Sequence, residues 1–372
     1  MPRARPSGRR RSSEHVPVYR GRAEQVVRTT RAGGPFAIIG ENIHATRTVL
    51  RSGRHVATLP DGRAAIRFET ADGERFLTIP ESLCETNDFA AGKVKHVQAA
   101  LLAIMRGSEP DASDAHAYIE TLARRQIAAG ADYVDLNVDE IAQEPSTQQR
   151  AMRVLVAIIE ALGTVPPSLD SSNASVIQAG LEASAHQERL LLNSASAERL
   201  DVLEMAASAR CAVIASAAGE TGLPAGVDER VVNAERIVAE ATTRGVSANA
   251  IYIDPLVIPV AVEPDAGAWF LEAVTRIRQS LGGDVHITGG LSNVSFGLPG
   301  RRLINDVFID LAAAAGADSG IIDPVASDMT RVIASDKGSR PYNLAASLLT
   351  GADPYGMEFL QAYRAGELAG DL

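Results

Sequence analysis

The chain has 372 residues, 46% hydrophobic and 22% charged, enough to bury a substantial core in one large domain or two ordinary ones. A formal net charge of -10 and a pI near 5.3 argue against nucleic-acid binding, which draws its affinity from clustered Lys and Arg. Two cysteines, Cys84 and Cys211, supply neither a disulfide framework nor a Cys-based zinc site, so a reducing compartment and no metal site are expected.

Residues 1–34 form a basic arm in which Arg3, Arg5, Arg9, Arg10, Arg11, Arg20, Arg22, Arg28 and Arg31 sit among Pro, Ser and Gly with little apolar periodicity. A solvated, disordered arm, a handle for an acidic partner and a targeting segment all fit it. From Phe36 a rhythm begins, with short apolar runs at 36–40, 132–138, 167–170, 189–193, 211–216, 250–254, 284–288 and 318–322. Between most of them lie helical patterns, including 154–162, 231–243, 269–281 and 303–315, with apolar residues at i, i+3 and i+4. Near-continuous apolar strands alternating with helices predict an α/β fold with a parallel sheet buried on both faces. Eight units favour a closed (β/α)8 TIM barrel over 35–350, with a C-terminal tail at 351–372. An insert at about 50–110 follows the first strand. The turn signals Pro60-Asp61-Gly62 and Asp72-Gly73 predict a β-meander from runs at 55–59, 64–68 and 75–79, with helices at 93–105 and 114–129. Leaving from the top of strand one, the insert is expected near the barrel mouth, either shaping access or decorating the fold. No apolar run reaches membrane-spanning length and no signal-peptide core is present, so a cytoplasmic, non-membrane protein is expected.

Polar residues recur where the strands end. Asp135 and Asn137 lie in the second run, and Asp170, Asn193 and Asp254 close the third, fourth and sixth. Glu41 follows the first, Ser292 and Asn293 follow the seventh, and Asp323 follows the eighth. In a parallel barrel these ends converge on the catalytic face. Any one of them could be a helix cap, but capping explains Ser and Thr equally well and does not account for repeated Asp and Asn. Carboxylates and amides without a His pair, Cys or Lys make a poor nucleophilic or zinc site. They make a good receptor for a flat heterocycle with an amino-pyrimidine edge, such as a guanine-like or pterin ring.

Leu169-Asp170-Ser171, Leu192-Asn193-Ser194, Tyr252-Ile253-Asp254-Pro255-Leu256 and Gly290-Leu291-Ser292-Asn293-Val294-Ser295, with Arg301 and Asn305 beyond, stand in a recognisable order. Together they resemble the methyltetrahydrofolate-binding methyltransferases, a pterin-binding, dihydropteroate-synthase-like barrel family. That family includes the methyltetrahydrofolate:corrinoid/iron-sulfur-protein methyltransferase and the folate module of cobalamin-dependent methionine synthase. The resemblance implies that Asp170, Asn193 and Asp254 bind the pterin ring and that Asn293 lies beside N5 as the catalytic amide. It further implies that Asp135, Asn137, Glu41, Ser292 and Arg301 complete the site. Tetrahydrofolate or 5-methyltetrahydrofolate would be the substrate, a corrinoid (cobalamin) would arrive on a partner corrinoid protein, and the chain would be a homodimer. One departure stands out: the family's Gly-Glu-Arg is replaced by Gly40-Glu41-Asn42-Ile43-His44, which implies a different partner or preferred direction.

Asp284-Val285-His286-Ile287-Thr288-Gly289 also matches D-x-H-x-x-G, a pattern that supplies a cobalt ligand in some corrinoid proteins. Here it falls inside a predicted barrel strand, so His286 is expected to be an inward or core residue. Dihydropteroate synthase and a non-catalytic pterin-binding module remain alternatives. Against the synthase, its Ser-x-Arg phosphate-binding pair and Asp-Ser-Phe loop are not evident.

Overall fold

The computed structural model describes residues 35–108, 110–219 and 222–368; the basic arm at 1–34 lies outside the described residues. The first strand, β1 (Ala37–His44), runs four residues beyond the expected end and carries Glu41 and Asn42 within it. A register shift between Gly40 and Ile43 lets it continue. There the Asn42 N–H leaves the ladder and donates to Gln126 Oε1 at 2.9 Å. A Cβ at position 40 would lie 2.5 Å from that oxygen, so any larger residue there would displace the Gln126 amide from its bond to Asn42.

The insert contains strands β2 (Thr48–Leu50), β3 (Val56–Thr58), β4 (Ala64–Thr70) and β5 (Gly73–Thr78), then short helices α1 (Glu81–Cys84) and α2 (Asn87–Ala90). Strands β3, β4 and β5 form the predicted antiparallel meander. Its alternation buries Ile66 and Phe68 and exposes Arg67 and Glu69, so one face has a partner and the other has water. The helix predicted at 93–105 begins later than expected. Lys93–Lys95 is strand β6, paired antiparallel to β2, and α3 (His96–Arg106) follows it. Val94 is buried between two lysines, a period-2 pattern too short to be separated from the helix in sequence. The insert rests on α4 (Asp111–Ala128), where Phe68 meets Tyr118 edge to face at 5.0 Å and Tyr118 Oη bonds His96 Nδ1 at 3.0 Å.

The barrel units then alternate: β7 (Tyr133–Asn137), α5 (Pro145–Ala161), β8 (Pro167–Asp170), α6 (Ala174–Ala183), β9 (Leu191–Ala195), α7 (Asp201–Ala209), β10 (Ala212–Ser216) and α8 (Val227–Thr243). They continue with β11 (Ile251–Asp254), α9 (Ala266–Leu281), β12 (His286–Ile287), α10 (Arg301–Ala315), β13 (Ser319–Ile322), α11 (Met329–Ala334), α12 (Arg340–Leu349) and α13 (Met357–Arg364). The eight-stranded sheet runs β12-β11-β10-β9-β8-β7-β1-β13. A parallel bridge between Gly290 and Ile321 brings its two ends together, so the expected (β/α)8 barrel is observed. β12 keeps only two residues because side-chain bonds replace ladder bonds at the seam. Asp318 Oδ1 accepts from Ile287 N at 2.8 Å, and Ser319 Oγ donates to Ile287 O at 3.0 Å. The segment expected as a tail docks: Asp353 accepts from the N–H groups of Glu358 and Phe359, and the Phe359 side chain is fully buried.

Inward-facing residues alternate along each strand. Ile39, Leu191, Ile214 and Tyr252, with Tyr133, Ala212 and Ile321, form a separate apolar cluster that fills the lower interior. His286 belongs to this level as expected. It stacks on Tyr252 with ring centroids 4.5 Å apart, and its Nδ1 lies 3.0 Å from Asp318 Oδ2.

Candidate active site

Two residues further along the same strands the interior turns polar. Tyr133 gives way to Asp135 and Asn137 on β7, Leu191 to Asn193 on β9, and Tyr252 to Asp254 on β11. Asn137, Asp170 and Asn193 stand in direct register across three neighbouring strands, and Asp254 pairs with Ser216 on β10. A single network links the first group. Asn137 Nδ2 donates to Asp170 Oδ2 at 2.9 Å, while Ser168 Oγ and Asn193 Nδ2 donate to Asp135 Oδ1 at 2.6 and 3.3 Å.

Burial, and then the charge of Asp170, push the Asp135 carboxyl well above the usual carboxylate range. Asp170 rises to about 6, again chiefly through burial. A side-chain hydrogen bond with Asp135 opposes the rise of the Asp170 carboxyl. Asp254 is also pushed up to about 6 by burial, against the Leu256 N–H that donates to its Oδ1 at 2.8 Å and the nearby charge of Arg230. The Leu256 backbone sits at φ 70°, a left-handed conformation costly for a branched side chain. Such strain next to a candidate ligand carboxylate fits a backbone held for function.

The Asn293 loop follows β12, the strand beside β11. A Cβ at Gly290 would come within 2.8 Å of Asn293 Nδ2, so any larger residue there would turn the Asn293 amide. Asn293 is exposed between buried Ser292 and Val294, and its amide has no hydrogen-bond partner among the described residues. Ser292 bonds Glu41, which also pairs with Arg47 at 2.7 Å; burial is the largest influence on Glu41 and raises its carboxyl. Asn42 Nδ2 donates to Asp323 Oδ1 at 2.7 Å, joining β1 to the end of β13. Arg301 is turned toward the loop, with Nε donating to Ser295 Oγ at 3.0 Å and Nη2 to Ser292 O at 2.9 Å. The structure thus gathers Asp135, Asn137, Asp170 and Asn193 into one network. It places Asp254, Glu41, Ser292 and Asn293 at the same end of the barrel, and Arg301 as a brace of the loop.

Three contributors were not anticipated. Ser168 lies two residues before Asp170 on β8 and therefore on its face, a parity signal present in the sequence. Arg199 reaches Ser171 O at 2.8 Å and Ser194 Oγ at 2.9 Å and lowers the Asp170 carboxyl, whereas Arg230 is fully buried beside Asp254. No local pattern marks either arginine.

A parallel barrel with buried carboxylates and amides at its C-terminal end defines a receptor for a hydrogen-bonding heterocycle, and comparison with known proteins agrees. Residues 111–323, more than half of the chain, match the model described as "Pterin binding enzyme", and the chain belongs to that family. The methylcorrinoid:tetrahydrofolate methyltransferase of Eubacterium limosum is 29% identical over 257 residues, 68% of this chain and 89% of that protein. Methionine synthase of Mycobacterium leprae is 32% identical over 216 residues, a match covering 54% of this chain but only 17% of that enzyme. Among solved structures, a dihydropteroate synthase of Xanthomonas albilineans superposes with a TM-score of 0.48 at 19% identity, covering 61% of this chain and 86% of that one. Among the described residues no helix is long and apolar enough to cross a membrane, and no group of acidic, His or Cys residues is placed to hold a metal ion.

Proposed function

We propose that this protein is a methyltransferase that moves a methyl group between N5 of tetrahydrofolate and the cobalt of a corrinoid carried by a partner protein. The observation that carries the reading is the polar bowl, in which buried Asp135 and partly buried Asp170 and Asp254 stand at the end of the barrel that carries the Asn293 loop, whose amide has no hydrogen-bond partner among the described residues. Asp170 and Asp254 accept paired hydrogen bonds from the amino-pyrimidine edge of the pterin. Asn137 orients Asp170, and Asn193, which donates to Asp135, stands beside them at the ring. Glu41, Ser292 and Arg301 hold the loop that presents Asn293 to N5.

The methyl leaves a tertiary amine poorly unless the departing nitrogen is protonated or hydrogen-bonded. Asn293, whose amide both donates and accepts, supports N5 in either state and orients the pterin for in-line displacement. The corrinoid supplies a cobalt that is nucleophilic when reduced and a methyl donor when methylated. Because the same site serves both directions, the direction named for the Eubacterium limosum relative, methylcorrinoid to tetrahydrofolate, is the first to test. The reading includes a homodimer acting in the cytoplasm.

The test is loss of cob(I)alamin absorbance on adding 5-methyltetrahydrofolate, with the reverse reaction followed from methylcobalamin. Asn293→Ala is expected to slow transfer on the order of 10²-fold while leaving tetrahydrofolate affinity within a few-fold of wild type. Tetrahydrofolate binding without any transfer would instead identify a passive pterin carrier, and formation of dihydropteroate from a pterin pyrophosphate would identify a synthase. Unchanged turnover in the Asn293 variant would remove that residue from the mechanism.

A further inference from the structure

Arg230 is the largest fully buried side chain among the described residues, yet its hydrogen bonds go to backbone carbonyls alone. Nε donates to Pro255 O at 3.0 Å, and Nη1 donates to Pro224 O at 3.3 Å and Gly226 O at 2.8 Å. Its Nη2 is buried with no hydrogen-bond partner, and its Cζ lies 5.8 Å from the ring centroid of Trp269. Holding a cation out of water without a carboxylate bonded to it is unfavourable unless something else needs the charge. Two features nearby need it. Pro224 and Gly226 belong to the loop after β10, and Pro255 stands between Asp254 and the strained Leu256. One guanidinium therefore ties together the loops following two adjacent strands, directly behind a site carboxylate.

We propose that Arg230 is the positioning residue of Asp254, fixing the two loops beside that carboxylate and keeping a positive charge behind it so that it meets the pterin as an anion. The proposal rests on the pterin-binding reading above. Asp254 is otherwise faced by uncharged groups: the Leu256 N–H on its own loop and the Ser216 strand beside it. Glu229 is the acidic neighbour of Arg230 itself. Among the described residues Arg230 is thus the one cation acting on Asp254, opposing the burial that raises its carboxyl to about 6. Loss of the positive charge moves protonation to higher pH, and binding that needs the anion then fails at higher pH.

The experiment is calorimetric titration of the full chain with tetrahydrofolate between pH 5.5 and 8.5, without corrinoid, for wild type, Arg230→Gln and Arg230→Lys. Trp269, the only tryptophan in the chain, reports by its emission whether each variant keeps its local fold. For Arg230→Gln the acid limb of binding is expected to move up by about one pH unit from about 6, which by itself weakens Kd about eightfold at pH 5.5 and about twofold at pH 7, with the gap closing by pH 8.5. Arg230→Lys keeps a charge but loses the fork, so its limb stays near that of wild type while affinity falls about threefold at every pH. An unmoved limb in Arg230→Gln overturns the proposal. Should that variant not fold, Arg230→Lys decides, and wild-type affinity in it overturns the clamp. If wild type binds no tetrahydrofolate, the functional reading falls and this inference with it, whereas an unmoved limb removes this inference alone.

Discussion

The lower and upper halves of the barrel interior are built on the same strands, two residues apart, and physical chemistry treats them in opposite ways. Below, Leu191, Ile214 and Tyr252 are packed against one another and excluded from water. Above, Asn193, Ser216 and Asp254 occupy the next inward positions, and burial there raises the carboxyl values of Asp135, Asp170 and Asp254. The lower layer stabilises by removing apolar surface from water. The upper layer keeps charge where charge is unfavourable, and either protonation or a ligand that donates hydrogen bonds relieves it. The site is therefore expected to oppose stability, and the plug beneath to supply it.

The largest expected effect comes from breaking the plug. Leu191→Ala removes a fully buried side chain and is expected to cost about 3 kcal/mol by urea denaturation. Its tetrahydrofolate affinity should stay within about threefold, because no site group is removed. A large loss of affinity with little loss of stability would reverse the assignment of the two layers.

The pH dependence separates them next. Asp254 has a folded-state value of about 6 against an ordinary 3.8, so between these values the empty folded protein holds a proton that the unfolded chain has released. Its destabilising contribution is fully present above pH 6 and is relieved as the pH falls through 6 toward 3.8, by on the order of 2–3 kcal/mol. Asp170, also at about 6, acts in the same sense. Tetrahydrofolate binding, which uses the anions, should weaken over the same interval. Unfolding and binding measured at pH 7 and pH 5.5 should move in opposite directions, and parallel changes would contradict the model of the bowl.

How much of this was legible depended on whether the signal was local. Asp170, Asn193 and Asp254 end apolar runs, so period-2 alternation and strand polarity placed them without coordinates. The eight units were readable for the same reason, but their ends were not. β1 runs past Gly40 because Gln126, 84 positions from its partner Asn42, takes over a backbone bond. β12 shrinks because Asp318 and Ser319 supply bonds from the neighbouring strand. Arg230 was hidden by its own context, since Asp228-Glu229-Arg230 reads as a solvated helix start. Only the loops folding over it, through Pro224, Gly226 and Pro255, turn it inward. Alternation along one strand is visible in a sequence, whereas a side chain bonding distant backbone is not.

A smaller effect is expected where the bowl is altered at one atom. Asp254→Asn keeps the shape but replaces an anionic acceptor with an amide, and should weaken tetrahydrofolate binding by about 2 kcal/mol, roughly 30-fold. The same change removes a buried charge, so the empty protein should be at least as stable as wild type to urea. Loss of both affinity and stability would mean that Asp254 supports the fold.

The smallest effect should come from the seam of the plug. His286 stacks on Tyr252 from β12, and its Nδ1 lies against Asp318 beside β13, the pair of strands with the sparsest ladder. Arg278 also approaches Asp318 Oδ2, at 3.3 Å, so the carboxylate keeps a partner when the imidazole is removed. His286→Asn should therefore cost only about 1 kcal/mol, the loss of one ring contact and one partly exposed hydrogen bond. Methyl transfer from methylcobalamin should be unaffected, since the ring lies a full layer below the bowl. If the variant instead lost transfer while folding normally, the D-x-H-x-x-G histidine would act on the chemistry, and the division of the barrel into a stabilising plug and a binding bowl would fail at that strand.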